Sequence, residues 1–362
     1  MAPVVPAFGG ASVTGLIPAL VGGRPAPWMP DAVEGARSVV LLVLDGLGAN
    51  EIAARPEILP ELNAMEGSRI TTVVPSTTST ALTSIATGLA PAQHGVLGYR
   101  ILVDGEVLNV LRWQTESRHP PDPFTVQRHD AFLGRPVPVI TRLEFRDSGF
   151  SQAHLRGSTF IGWKTLATLV EHCRRLALAG EKFVYAYYPG VDEVAHAYGL
   201  HDGFYLRELA AADALVGHLL DALPSDTALV VTADHGQVHL EPESWIEIDE
   251  LHPMIAVQAG DGRFRYLHAR KGMAPDLLAA AHASLDDVAW VLSRKEVLEA
   301  GWIGSGATGT VPGRLGDVVL AAREPVAFVD PALPRERTLR SAHGSLTPQE
   351  MYVPLRAARG RA

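Results

Sequence analysis

Two nearly uninterrupted apolar runs end abruptly on carboxylates, and this restricts the chain more than any other feature. Ser38 to Gly48 reads SVVLLVLDGLG, and Thr227 to Val238 reads TALVVTADHGQV. Continuous β-branched and aliphatic runs, without polar alternation, describe strands covered on both faces, as in a parallel sheet. The end of such a strand is an expensive place for an unpaired carboxylate. Asp45, Asp234 and the adjoining His235 therefore call for a partner: a bound cation, or a helix or turn that they cap.

The segments between these runs supply the rest of the pattern. GSRITTVVPS is β-rich and stops at Pro75, and STTSTALTSIATG then reads as a helix opening near Thr77 or Thr78 and closing on Gly88. KTLATLVEHCRRLALAG is a helix ended by Gly180, KFVYAYYPGVDEVAHAYG a strand running into Asp192, and LRELAAADALVGHLLDALP an amphipathic helix stopped by Pro224. Asp104-Gly105 between two alternating runs marks a hairpin. Strand and helix in alternation predict an α/β fold, a doubly wound, mostly parallel sheet flanked by helices. In such sheets ligands gather beyond the carboxyl ends of the strands, and Asp45, Asp192, Asp234 and the segment around Thr78 all follow strand readings. From 245 to 330 the texture changes to short strands with helical pieces between them, which reads as a small α+β insertion or lid. Residues 1–244 and 331–362 then form the core.

Asp192 and His196 stand four residues apart, a spacing that puts both on one helix face. The usual reading of such a pair is a solvated face, and His343 in SAHGS is unremarkable alone. Together, Asp45, Asp192, Asp234, His196, His235 and His343 are too many ligands for one tetrahedral zinc and suit two once a hydroxyl or water completes each shell. Two neighbouring dications can clamp the attacking and leaving oxygens of a displacement at phosphorus. The nucleophile would be a hydroxyl at a helix mouth, where free N–H groups and the dipole favour phosphate, and VPSTTSTALTSIATG holds several. Here composition matters. The formal net charge of −9 argues against nucleic-acid polymers and anionic membranes as partners, yet a dication-bearing site would still draw a small anion. The single cysteine, Cys173, lies in a helical apolar stripe and permits no internal disulfide. No cation precedes Arg24 and no run approaches the ~18 apolar residues of a span, so a cytoplasmic location is expected.

The set VVLLVLDGLG, VVPSTTSTALTSIATGLAPAQHGVLGY, YYPGVDEVAHAYG, VVTADHGQV and SAHGS resembles the alkaline phosphatase superfamily, and within it the type I phosphodiesterase/nucleotide pyrophosphatase family. The motifs keep the family's order and span most of the chain. The resemblance implies an alkaline phosphatase-like core, two Zn2+ ions (Mn2+ being the alternative) and a covalent phospho-threonine intermediate. The family places its nucleophilic threonine after a proline and two variable residues, which selects Thr78. By the same matching one metal takes Asp192, His196 and His343, and the other takes Asp45, Asp234 and His235 with Thr78. The chain departs from many nucleotide pyrophosphatases at Ala81, where they carry an asparagine that touches a phosphoryl oxygen. The backbone N–H of Thr78 or Ser79 and the Thr80 hydroxyl are the candidates to replace it. The expected substrate is a small phosphodiester or nucleotide pyrophosphate. Phosphate monoesters and phosphonates such as phosphonoacetate are the alternative. A phosphosugar mutase is disfavoured by the threonine and the scarcity of lysine near it. Oligomeric state is not legible. Among the remaining residues, His94 reads as a turn cap, Tyr99 and Arg100 as pocket or hairpin residues, Trp113 as core and His239 as surface.

Overall fold

The computed structural model describes residues 1–24 and 26–362. Its centre is a seven-stranded sheet in the order Glu66–Thr71, Tyr352–Arg359, Thr227–Thr232, Ser38–Leu44, Phe183–Tyr188, Pro138–Arg142, Thr159–Trp163, flanked by helices. Tyr352–Arg359 is antiparallel to both of its neighbours, so the other six strands point the same way. The central strands Ser38–Leu44 and Thr227–Thr232 are buried along their whole length, which explains their lack of polar alternation. The helix Leu166–Ala179 packs on this sheet through Leu169, Cys173 and Ala177, a stripe at four-residue spacing. Three strands of this sheet escape the sequence reading, Tyr352–Arg359, Pro138–Arg142 and Thr159–Trp163. The last two are short, and Thr159–Trp163 is only partly buried at the sheet edge, so neither carries a long apolar run.

The helix Thr78–Thr87 starts after an extended Thr77, ends on Gly88 with φ of 70°, and buries every residue. Such a helix needs small side chains, and its Ser, Thr and Ala content supplies them.

A second sheet, wholly antiparallel, runs in the order Ile255–Asp261, Phe264–Ala269, Val318–Ala322, Ala289–Ser293. Its faces alternate as a pleat requires. Phe264, Tyr266, Val319 and Ala321 join the main core, whereas Leu267, Val318, Leu320 and Ala322 pack with the helix Ala274–Leu285. Trp245–Ile246 pairs in parallel with Ala327–Phe328 where this region begins and ends. Arg263, beside the second sheet, forms a fully buried two-pronged ion pair with Glu350, with both N–O distances at 2.9 Å. No helix among the described residues is long and apolar enough to cross a membrane.

Candidate metal centre

The parallel strands deliver their carboxylates to the carboxyl-terminal end of the sheet. Asp45 follows Ser38–Leu44, and Asp234 and His235 follow the adjacent Thr227–Thr232. Two glycines let these turns pass one another. A Cβ on Gly46, at φ +76°, would meet Gln237 Nε2 at 2.4 Å and the Asp192 backbone at 3.1 Å. One on Gly236 would meet Gln349 O at 2.0 Å. Asp192 and His196 lie on the helix Gly190–Tyr198 after the next strand, and His343 follows the short strand Ser341–Ala342.

The structure gathers Asp45, Asp234 and His235 into one group and Asp192, His196 and His343 into another, with ligand-capable atoms within 4.8 Å of one another in each. His235 Nε2 stands 3.4 Å from Asp45 Oδ1 and 3.6 Å from Asp234 Oδ2. His196 Nε2 and His343 Nε2 stand 3.4 and 3.8 Å from Asp192 Oδ1. The groups adjoin, since the His235 and His343 rings stack with centroids 3.6 Å apart. Thr78 Oγ1 lies 3.1 Å from His235 Nε2, at the first position of its helix.

Three observations test whether cations fit. Asp45 Oδ1 and Asp234 Oδ2 are buried and have no hydrogen-bond partner, a costly condition for carboxylates unless an ion takes the lone pairs. All three histidines offer the same nitrogen. Nδ1 of His196 donates to Ser341 O at 2.8 Å, that of His343 to Ser76 O at 3.0 Å, and that of His235 to Gly236 O at 3.1 Å. Each Nε2 lone pair is thereby left toward the site, the arrangement typical of metal-bound imidazole. Crowding and burial also shift the titration of the cluster, and a neutral imidazole is the form that binds a metal. Burial pushes the Asp45 carboxyl well above the usual range, and the Asp234 and Asp192 carboxylates add to it. Burial holds His343 well below the ordinary imidazole value, with the neighbouring His235 and His196 rings contributing. The donor set therefore fits two divalent cations.

Supporting residues not identified from sequence complete the frame. Tyr187 donates its hydroxyl to Asp45 Oδ2, which leaves Oδ1 for the site. Gln237 donates Nε2–H to Asp192 Oδ1 at 3.0 Å and accepts from the Ser341 hydroxyl. Asp261, from the second sheet, accepts the Thr77 hydroxyl at 2.9 Å, and burial pushes its carboxyl up to about 6. Tyr187 hides in an aromatic strand, and Asp261 sits in a GDG turn that reads as nothing but a hairpin tip.

A cavity of about 560 Å³ opens over Thr78, Asp192, His196 and His343, with Tyr99, Trp245 and Asp261 on its walls. Arg100 turns away from it to pair with Asp330. A second cavity of about 240 Å³ shares Thr78, Leu111 and Asp192 with the first, reaches Asp45, and is walled mainly by apolar and aromatic side chains, among them Leu82, Phe150 and Tyr187. His94 is buried at a turn, where its Nδ1 accepts the Val96 amide, and Trp113 is buried with its indole N–H on Pro121 O. His239 is half-buried and accepts the Leu200 amide.

A mostly parallel sheet that brings two adjoining His/Asp groups to the carboxyl ends of its strands, beside a hydroxyl on the first turn of a buried helix, defines the alkaline phosphatase class of metal-dependent hydrolases. The chain belongs to the type I phosphodiesterase/nucleotide pyrophosphatase family of phosphoric ester hydrolases, whose sequence profile matches residues 39–346. Comparison with solved structures finds murine ectonucleotide pyrophosphatase/phosphodiesterase 5 at TM-score 0.69 and 14% identity, over 88% of this chain and 87% of that one. An inactive Thr-to-Ala variant of the same murine protein, in complex with AMP, aligns at TM-score 0.68 and 14% identity, over the same shares of 88% and 87%. Phosphonoacetate hydrolase from Sinorhizobium meliloti 1021, in complex with phosphonoformate, aligns at TM-score 0.65 and 19% identity, over 99% of this chain and 94% of that one. At these identities the likeness concerns the fold. A comparison with curated protein sequences finds no match.

Proposed function

We propose that the protein hydrolyses small phosphodiesters or nucleotide pyrophosphates, with Thr78 as nucleophile and two Zn2+ ions as cofactors. The observation that carries this reading is the placement of Thr78 Oγ1 3.1 Å from His235 Nε2, beside the orphaned carboxylate oxygens of Asp45 and Asp234. Asp192, His196 and His343 would hold one ion, and Asp45, Asp234 and His235 the other, together with the Thr78 oxygen. Mixed imidazole and carboxylate donors suit zinc, and Mn2+ is the alternative where it is more available. Bound there, the ions would lower the pKa of the threonine hydroxyl and neutralise charge on the phosphoryl group.

The chain's own contributions follow from position. Thr78 forms the new bond to phosphorus as the ester oxygen departs, and water then cleaves the phospho-threonine. Two inversions give net retention at phosphorus. The carbonyls of Ser341, Ser76 and Gly236 hold the three imidazole rings, and Tyr187 and Gln237 hold Asp45 and Asp192. We assign residues 1–244 and 331–362 to the hydrolase core and 245–330 to a lid-like insertion, a reading supported by Trp245, Asp261 and Gly262 on the cavity wall.

A phosphonate reading is favoured by one observation: the phosphonoacetate hydrolase aligns over 99% of this chain. The test therefore compares four substrates with added zinc: bis-p-nitrophenyl phosphate, p-nitrophenyl phosphate, a thymidine 5′-p-nitrophenyl ester and phosphonoacetate. A diester is expected to be turned over fastest, and Thr78→Ala to lower that rate by roughly 10³-fold or more. Near-normal turnover by Thr78→Ala contradicts the nucleophile assignment, and fastest turnover of phosphonoacetate selects the phosphonate reading.

A further inference from the structure

The helix that begins with Thr78 is uncapped, although a capping residue is in place. Thr77 has the extended backbone of an N-cap, φ −135° and ψ 149°, yet its side chain makes no capping bond. A threonine at that position ordinarily turns its hydroxyl back onto the amide two or three residues on. Here Thr77 Oγ1 donates instead to Asp261 Oδ1 at 2.9 Å. Asp261 is buried at the end of a strand in the second sheet, and its other oxygen accepts the Tyr99 amide at 3.3 Å.

The consequence falls on the first turn of the helix. The Thr77 amide bonds to Pro75 O, and Ala81 is the first amide to find a partner, Thr77 O. The amides of Thr78, Ser79 and Thr80 have no acceptor among the described residues. The hydroxyls of Ser79 and Thr80, on the same turn, are also buried without a partner. Three free amides and two free hydroxyls thus sit on the helical turn that begins with the residue assigned to attack phosphorus. Position 81, meanwhile, is an alanine with no side-chain donor.

We propose that Asp261 is a positioning residue for phosphoryl transfer: by engaging the Thr77 hydroxyl it keeps the helix's own cap off the Ser79 and Thr80 amides and leaves them for phosphoryl oxygens of the substrate. The second sheet thus acts on the chemistry through one hydrogen bond, besides walling the cavity. A helix N-terminus with open amides is a strong anion site, and donors aimed at developing charge are worth most when nothing in the protein competes for them. This inference rests on Thr78 being the nucleophile.

The test is a set of rates on the fastest substrate, with metal content and thermal unfolding recorded for every variant. Asp261→Ala releases Thr77 to cap the helix, and kcat is expected to fall about 10- to 100-fold with KM changed much less. Asp261→Asn keeps an acceptor for Thr77 and is expected to recover most of that loss. Thr77→Val, which has no hydroxyl to cap with, loses less than Asp261→Ala. The double variant Asp261→Ala/Thr77→Val is expected to be faster than Asp261→Ala alone, a rescue that a purely structural role for Asp261 does not produce. Thr77→Asn restores a cap with Asp261 in place, so it must also lose kcat, and it carries the test if Asp261→Ala does not fold. Equal or additive losses in the double variant, or full activity in Thr77→Asn, overturn the proposal. Full activity in Thr78→Ala overturns the nucleophile assignment instead, so the two failures are distinguishable.

Discussion

His196, His235 and His343 each spend Nδ1–H on a main-chain carbonyl, so the folded backbone selects one tautomer for all three rings. Carboxylates are held with the same economy. Tyr187 occupies one oxygen of Asp45, and Gln237 bridges Asp192 and Ser341. Removing such an outer partner typically costs ten- to a hundredfold in metal affinity. Gln237→Ala and Tyr187→Phe should each weaken zinc binding by about that factor, read by competition with a chromophoric chelator, while far-ultraviolet circular dichroism stays unchanged. Unchanged affinity in both variants would show that the ligands are held by packing alone. At Cys173, burial pushes the thiol up to about 12, so the native protein should resist thiol-specific labelling at pH 8 and react fully once unfolded.

At the scale of elements, the helix Thr78–Thr87 and the buried histidines near it make stability depend on pH. Burial drives His94 down to about 3, with the charges of His129 and Arg314 adding to it, and drives His154 down to about 4. Between these values and the ordinary imidazole pKa near 6.5, the unfolded chain binds protons that the folded chain does not. The stability these rings contribute is therefore complete above about pH 6.5 and declines as pH falls toward 4, by up to about 1.4 kcal/mol per unit for each ring. Urea midpoints at pH 7 and pH 5 should show the fall, and His94→Gln should reduce its slope; a flat profile contradicts neutral burial. Beside the apolar contacts, Arg263 and Glu350, both fully buried, tie the second sheet to the short helix before the C-terminal strand. Glu350→Ala leaves a guanidinium without its counter-charge and should cost about 3–5 kcal/mol in chemical denaturation. Long elements with strong patterns were readable in advance. The Ser38–Leu44 and Thr227–Thr232 strands declare themselves through unbroken aliphatic runs, and the Thr78–Thr87 helix through its terminal Gly88. The strands Pro138–Arg142 and Thr159–Trp163 were not, since strands of five residues carry little hydrophobic signal, and the second also lies half-exposed at the sheet edge. Asp261 and Glu350 were equally silent, because what matters about them is a partner distant in sequence, which no local pattern encodes.

For the molecule as a whole, an acidic chain of net charge −9 buries two carboxylate oxygens without hydrogen-bond partners, those of Asp45 and Asp234, at the carboxyl ends of its central strands. Any ion that binds only the folded form stabilises it by mass action, about 2.7 kcal/mol at a hundred times its dissociation constant. Chelation should lower the thermal midpoint by several degrees, and added zinc should restore it; a midpoint indifferent to chelator would remove the cations from the account of stability. The most direct measurement is elemental analysis of purified, active protein beside the variants Asp192→Ala and Asp234→Ala. Two transition-metal ions per chain in the parent and close to one in each variant is the predicted result. Active protein without transition metal, or variants that retain the parent's full content, would contradict the paired centre on which the functional reading stands.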